Sequence, residues 1–385
     1  MGIMKTARWR AVTVGVGAVA LMTGAAACSS GSSSSVAGSA KQTIVFAESG
    51  LGTEGQQTQT AINAFEKANP NIKVTVQVLS SDSTTYLSQL EHDFISGSST
   101  PDVFESDVTY PAKFAQAGWI LPLTQFNVNK SQFFSTEVDA GTFNGTLYAV
   151  PWFDNPEGLF YRTDLVKTPP TSPAQVVSDA EAAMKADKSL KEGLAFEADK
   201  YEGAITSFLT VDSAFGGKLD PSNVNTPGNV AALKWLHDAI YVNKIAPQAV
   251  TGWQEGQVQQ QFSSGYAAFA INAKTAHAAA AYKLIQYMTS PSVETARAIA
   301  VGDPPSLPSA YTSALYAKAP YFQNVKTLNQ YAAPRPVTPN YLQVSSDLQT
   351  LFSSVYANGS SSAASAAFAA GAASIKSDAA ATPGS

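Results

Sequence analysis

The sequence predicts an α/β protein built on a mostly parallel sheet, and three observations support that class. From Gln42 to Phe104 short apolar runs alternate with segments of helical period, the β-α-β-α-β series that a parallel sheet requires. The runs are rich in Val, Ile and Phe, as strands buried on both faces are. At 385 residues with 45% hydrophobic content, the chain can form two or three domains of roughly 150 residues, each with its own core.

The elements follow in order. Thr43-Ile44-Val45-Phe46-Ala47 is the first strand. Ile62, Phe65 and Ala68 keep helical spacing until Asn69-Pro70 stops the helix. Ile72, Val74, Val76 and Val78 alternate with Lys73, Thr75 and Gln77, the pattern of a half-buried strand. Leu87, Leu90 and Phe94 share one helical face, which Gly97 closes, and Pro101-Asp102-Val103-Phe104 opens a third strand. Further along, Thr226-Pro227 reads as an N-cap with Pro at N1, followed by a stripe of Val230, Leu233, Leu236 and Ile240. Another helix is expected from about Lys274 to Thr289, ended by Ser290-Pro291. Val344, Leu348, Leu351 and Val355 line one more, stopped at Asn358-Gly359, and the Ala-rich segment Ser360–Ala381 reads as helix or frayed end. No internal repeat is present.

Composition removes several function classes. Charged residues make up 14%, against roughly 25% in an average domain. The balance of 24 Lys+Arg against 29 Asp+Glu offers no footprint for nucleic acid. One cysteine and three histidines are too few for a His/Cys metal cage, and no intrachain disulfide can form. Each histidine reads as solvated or as a helix-surface residue. No G-x-S-x-G, H-E-x-x-H or Walker A motif occurs. The Gly50-Leu51-Gly52 stretch is read as a strand-to-helix connection, so no cofactor or metal is expected.

The first residues read as an address. Lys5, Arg8 and Arg10 precede an apolar run from Ala11 to Met22, shorter than the roughly 20 residues a membrane span needs but suited to a secretory leader. It ends in Gly24-Ala25-Ala26-Ala27-Cys28, which resembles the lipobox of bacterial lipoproteins. That resemblance implies lipidation at Cys28 and a leader over residues 1–28. Several acyl chains on one residue give a stable anchor where one would not. Residues 29–41 then form a Ser/Gly tether with a reach of roughly 20 Å. The folded body is expected outside the cytoplasm, lipid-anchored to the outer face of the bacterial cytoplasmic membrane.

Aromatic and amide side chains gather in Tyr148-Ala149-Val150-Pro151-Trp152-Phe153-Asp154-Asn155 and in Leu159-Phe160-Tyr161-Arg162. Neutral polar ligands such as sugars need this mixture, with rings against the apolar face of a pyranose and polar groups on its hydroxyls. Core packing is the competing explanation for each ring.

Several segments together resemble the family 1 extracellular solute-binding proteins of ABC importers, the carbohydrate-binding class. They are Ala64-Phe65-Glu66-Lys67-Ala68-Asn69-Pro70-Asn71-Ile72-Lys73-Val74, Gly97-Ser98-Ser99-Thr100-Pro101-Asp102-Val103 and Ala117-Gly118-Trp119-Ile120-Leu121-Pro122-Leu123. Gly145-Thr146-Leu147-Tyr148-Ala149-Val150-Pro151 and Phe160-Tyr161-Arg162-Thr163-Asp164-Leu165 extend the match. Tyr201-Glu202-Gly203 and Pro334-Arg335-Pro336-Val337-Thr338-Pro339-Asn340-Tyr341 are similar to elements of the trehalose/maltose-type branch. The resemblance implies a two-lobed periplasmic-binding-protein-like fold of class II, each lobe a mostly parallel sheet flanked by helices. One lobe would take residues 42–153 and 271–325, the other 154–270 and 326–385.

The same resemblance implies ligand contacts from Glu54, Asp107, Trp152, Phe153, Asn155, Tyr201, Glu202 and Arg335. It also implies a monomer that captures an α-glucoside and delivers it to ABC permease subunits, without catalysis. The chain departs from the pattern in two places. Tyr86 or Leu87 stands where relatives often carry an Arg. In Gly265-Tyr266-Ala267-Ala268-Phe269-Ala270-Ile271-Asn272-Ala273-Lys274 a strand and a hinge strand, separated by tens of residues in relatives, are fused between Ala270 and Ile271. A degenerate copy with impaired binding is therefore an alternative, and a carbohydrate-active enzyme with a facing carboxylate pair is another.

Overall fold

The computed structural model describes residues 40–49, 52–80, 83–154, 158–254, 267–329, 332 and 334–381. Lys41–Ser385 is one compact unit, in which separate hydrophobic cores mark two lobes. The strands are β1 (Gln42–Glu48), β2 (Ile72–Val78), β3 (Val103–Ser106), β4 (Thr142–Phe143), β5 (Thr146–Leu147), β6 (Ala149–Phe153) and β7 (Ala267–Ile271). Five of them form the sheet of the first lobe, in the order β2-β1-β3-β7-β6. β1 lies parallel to β2 and β3, and β7 alone runs against its neighbours β3 and β6.

Apolar runs explain the central strands. Ile44 and Phe46 face one core with Trp152 and Phe269, where helix α1 (Gly52–Ala68) contributes Ile62 and Phe65. Ala47, Phe104, Ala268 and Ala270 face the other side, covered by Tyr86, Leu87, Leu90 and Phe94 of helix α2 (Ser83–Ile95) and by Phe114 of α3 (Pro111–Gln116). β2 keeps its alternation because it is an edge strand with Val74 turned inward. Helix α4 (Ser135–Ala140) leads into the β4–β5 hairpin, whose Asn144-Gly145 pair takes φ of 48° and 77°, as a two-residue turn requires.

The fused junction is one continuous strand. Val103 and Phe104 pair with Ile271 and Ala270, and Ala149 pairs with Ala270 from the other side. Residues 267–270, expected in the second lobe, therefore pair within the first sheet. Five apolar residues in a row can be buried on both faces, and a break at Ala270 would orphan ladder hydrogen bonds on both edges.

The second lobe departs further from expectation. Its core joins α5 (Pro173–Ala186), α6 (Glu202–Asp212), α7 (Pro227–Tyr241), α12 (Tyr341–Tyr356) and α13 (Ala363–Ala380), and no strand occurs there among the described residues. Among the described residues, strands occur only in the first lobe. The Ala267–Ile271 run pairs within the first sheet, and Gly193 and Leu194 donate to the Ile245 carbonyl, at 2.7 and 2.9 Å. The helices themselves form as the sequence indicates. Thr226 accepts the Asn229 amide as an N-cap, and Leu233, Leu236 and Ile240 of α7 are buried. The Ala-rich tail is helix, pinned by buried Phe368 and Ile375. His237 is not a surface residue: it is 1% exposed, with Nε2 2.7 Å from the Asn358 carbonyl.

Four short helices complete the first lobe and its return: α8 (Ala278–Met288), α9 (Pro291–Val301), α10 (Ser313–Lys318) and α11 (Phe322–Leu328). α8 begins later than Lys274 because Asn272 and Thr275 turn the chain, accepting the amides of Lys274 and His277.

Candidate functional site

Carboxylates collect where the parallel strands end. Glu48 closes β1, Glu105 lies near the end of β3 and Asp107 follows two residues later, while Glu54 occupies the first turn of α1. The carboxyl ends of parallel strands are where open α/β sheets form ligand crevices. The Glu105 carboxylate accepts the amide and hydroxyl of Ser49, each at 3.0 Å.

One guanidinium serves this cluster. Arg297 of α9 makes an ion pair with Asp303 at 2.6 Å and approaches Glu54 at 3.7 Å; its Nη1 donates to Thr58 Oγ1 at 3.1 Å. Its plane lies over the rings of Trp152 and Phe153, 4.4 and 4.9 Å from their centroids. A single cation cannot offset four acids, and burial works against ionisation. Glu48 is pushed up to about 7, first by burial and then by the Glu105 charge. Glu54 also rises to about 7, by burial and by Asp303, with Arg297 opposing. Burial raises Glu105 and Asp303 as well.

A second cluster spans the lobes. Arg335 lies between Pro334 and Pro336, which hold the backbone extended. Its Nη2 donates to both oxygens of Asp107, at 3.0 and 2.9 Å, and its Nη1 donates to Glu202 Oε1 at 3.0 Å. Asp107 is aimed by its own loop, since Oδ1 also accepts the Thr109 amide and hydroxyl at 2.8 and 2.7 Å. Glu202, in the first turn of α6, is held by the hydroxyls of Tyr341 and Ser345, the latter at 2.6 Å. The Tyr341 ring lies 5.9 Å from the Arg335 guanidinium. A Cβ on the neighbouring Gly203 of the Tyr-Glu-Gly element would meet the Tyr201 hydroxyl and the Glu197 carboxylate, which would have to shift.

The residues expected at a ligand therefore divide. Asp107, Glu202 and Arg335 meet in one network, and Glu54 and Phe153 meet at Arg297. Tyr201 caps α6 beside Glu202 but directs its hydroxyl to Glu197. Trp152 is 1% exposed and stacked on Phe269 at 4.4 Å, so it supports Arg297 from the core and offers no free face. Tyr86 and Leu87 are core residues too, and the Tyr86 hydroxyl donates to the Glu105 carbonyl at 2.7 Å. Asn155 and Cys28 lie outside the described residues.

Glu48, Glu105, Arg297 and Asp303 were not singled out from sequence, and Tyr341 only as part of the Pro334–Tyr341 element. An acid closing an apolar strand run signals Glu48 and Glu105; Arg297 is 243 residues from Glu54 and carries no local signal. In sequence, Gly50, Gly52 and Gly55 have the spacing of a dinucleotide fingerprint, but Glu48 and Glu54 flank that segment and oppose a pyrophosphate, which needs positive potential. Among the described residues no acidic or histidine group is arranged to hold a metal ion.

Residues 49–332 match the profile of the bacterial extracellular solute-binding protein family, most of the chain. The chain belongs to that family. A Deinococcus radiodurans protein named "Probable ABC transporter-binding protein" is 29% identical over 250 residues, 62% of this chain and 59% of its own length, so the match leaves much of that relative uncovered. The fold is that of solved solute-binding proteins. Maltose-bound MalE3 of T. maritima superposes with a TM-score of 0.73 at 24% identity, covering 87% of this chain and 99% of that one. The sugar-binding protein MalE of Xanthomonas citri gives 0.73 at 20% identity, covering 88% and 97%. This solute-binding protein thus has the two-lobed α/β architecture of the maltose-binding type, with a mixed sheet and flanking helices. No helix among its described residues is long and apolar enough to cross a membrane.

Proposed function

We propose that this solute-binding protein captures a sugar outside the cytoplasm, an α-glucoside of the trehalose or maltose kind, and delivers it to an ABC importer. It acts as a monomer without catalysis or cofactor, anchored to the membrane through lipid on Cys28. The observation that carries the reading is the Asp107–Arg335–Glu202 network between the lobes. Carboxylates and a forked guanidinium converging from two lobes offer paired acceptors and donors for hydroxyls, and lobe closure supplies the signal to a permease. Structural neighbours bound to maltose, to cycloalternan and to acarbose support this ligand class.

A thermal-shift screen of the full chain against trehalose, maltose, sucrose and monosaccharides tests it. A ligand at a hundredfold excess over Kd adds about 2.7 kcal/mol of stability. A saturable shift with one disaccharide supports capture. A cooperative melt that no sugar moves supports the second reading, a degenerate copy, which the continuous Ala267–Ile271 strand favours. Release of free monosaccharide from a disaccharide would instead support a carbohydrate-active enzyme.

A further inference from the structure

We propose that Arg297 is a positioning residue that holds Glu54 in place as a charged acceptor for a sugar hydroxyl, a role that rests on the sugar-binding reading above. Arg297 gathers three other segments around its own helix, α9. Its guanidinium lies on Trp152 and Phe153, 4.4 and 4.9 Å from the ring centroids, and its Nε meets Asp303 at 2.6 Å. Phe153 is bridged to Pro305, so the rings and the Asp303 segment form one support at the end of β6. The first turn of α1 rests on that support. Arg297 Nη1 donates to Thr58 Oγ1 at 3.1 Å, and the Thr58 hydroxyl donates to the Glu54 carbonyl at 3.1 Å. The Glu54 carboxylate then lies 3.7 Å from Arg297 Nη2.

Exposure separates the three charges. The side chains of Arg297 and Asp303 are 7% and 9% exposed, while that of Glu54 is 36% exposed. Arg297 and Asp303 are sealed beneath, and of the three only Glu54 is open to a ligand. The charges that face it are Asp303, Glu105 of β3 and Arg297, with Glu48 of β1 close by. Burial, Asp303 and Glu105 all favour a proton on Glu54, and Arg297 opposes them. A protonated carboxyl gives up acceptor capacity, so the charge that Arg297 preserves sets how well Glu54 takes a hydroxyl. Asp303 works the other way, because it adds repulsion and engages the same guanidinium.

The first arm of the test needs no ligand. Carboxyl carbon NMR of the full chain, with the Glu54 resonance assigned by its loss in Glu54→Gln, follows this group through its titration. The parent midpoint is expected at about 7. Arg297→Gln should raise it by about one unit, a tenfold change in the proton equilibrium, and Arg297→Lys should recover part of the change. Asp303→Asn should lower it, since repulsion is lost and Arg297 is freed for Glu54. Opposite shifts from the two partners are not expected of a merely structural role, and a midpoint that neither variant moves overturns the assignment. The second arm is calorimetric titration with trehalose and with maltose at pH 6 and pH 8. If the carboxylate form binds, parent affinity should fall about tenfold at the lower pH, and less in Asp303→Asn. Sugar binding that ignores pH while Glu54 titrates also overturns the proposal. Midpoints that move as stated in a protein that neither sugar binds keep the control of Glu54 by Arg297 and remove the sugar reading.

Discussion

Glu294 offers a sharp test of how burial and charge are balanced beneath the cleft. It sits in α9, 2% exposed, where Ser306 Oγ donates to one carboxylate oxygen at 2.7 Å and the Leu307 amide to the other at 3.2 Å. Arg297 on the same helix favours its charge, but burial dominates and moves it from 4.5 up to about 8. Glu137, fully buried on α4, rises well above its ordinary range for the same reason, with Asp154 and Glu294 both adding repulsion. The buried Tyr311 hydroxyl faces the same acids.

A carboxyl that binds its proton more tightly when folded stabilises the protein below its unfolded pKa and loses that contribution as pH rises through its folded pKa. For Glu294 the window runs from about 4.5 to about 8. At about 1.4 kcal/mol per pH unit the ceiling is ~5 kcal/mol, and relaxation of the site will reduce it. With about 2 °C per kcal/mol for a chain of this size, Tm should fall by up to ~10 °C across the window. Glu294→Gln keeps the shape and has no proton to lose. Its Tm should fall less than the parent's between pH 5 and pH 8.5, and the difference between the two curves isolates Glu294. Parallel curves would refute the reasoning, because they would mean that this carboxyl titrates alike in the folded and unfolded chain.

Three further outcomes are expected. Ala270→Pro removes a ladder hydrogen bond from a strand paired on both edges, so the cooperative melt should be lost or fall by the equivalent of ~3 kcal/mol; an unchanged melt would contradict the continuous strand. Trp152→Ala should cost about 3–5 kcal/mol in denaturant unfolding, the signature of a core ring, whereas a surface ring at a ligand would cost little. Gly203→Ala should displace the Tyr201 hydroxyl and the Glu197 carboxylate beside Glu202 and weaken any sugar-induced thermal shift; an unaltered shift would separate this turn from the site.

Periodicity read from the chain located the first lobe because its strands and helices are specified locally. β1 is apolar enough to be central, β2 alternates because it is an edge, and α2 buries the very stripe of Leu87, Leu90 and Phe94 that its spacing marks. The Thr226 cap and the Val344–Val355 stripe are legible for the same reason. Asp107, Glu202 and Arg335, marked by the family resemblance as ligand contacts, are bonded to one another although Arg335 is 228 residues from Asp107.

Side chains whose role depends on distant partners were out of reach of that reading. Nothing near Arg297 says that it will lie on Trp152 and face Glu54, and nothing near Trp152 says that its faces will be filled by Phe269 and Arg297 rather than by a ligand. The use of Ala267–Ile271 is the clearest case. Its five apolar residues suit either lobe equally, and hydrophobic pattern carries no record of which edge supplies hydrogen-bond partners. Pairing with β3 and β6 assigned it to the first sheet, and among the described residues the second core is built by helices. Local sequence determines what a segment can become, through backbone preference and the period of its apolar residues. Which of two competing partners it takes is a property of the assembled chain, because burial and hydrogen bonding are satisfied only between segments.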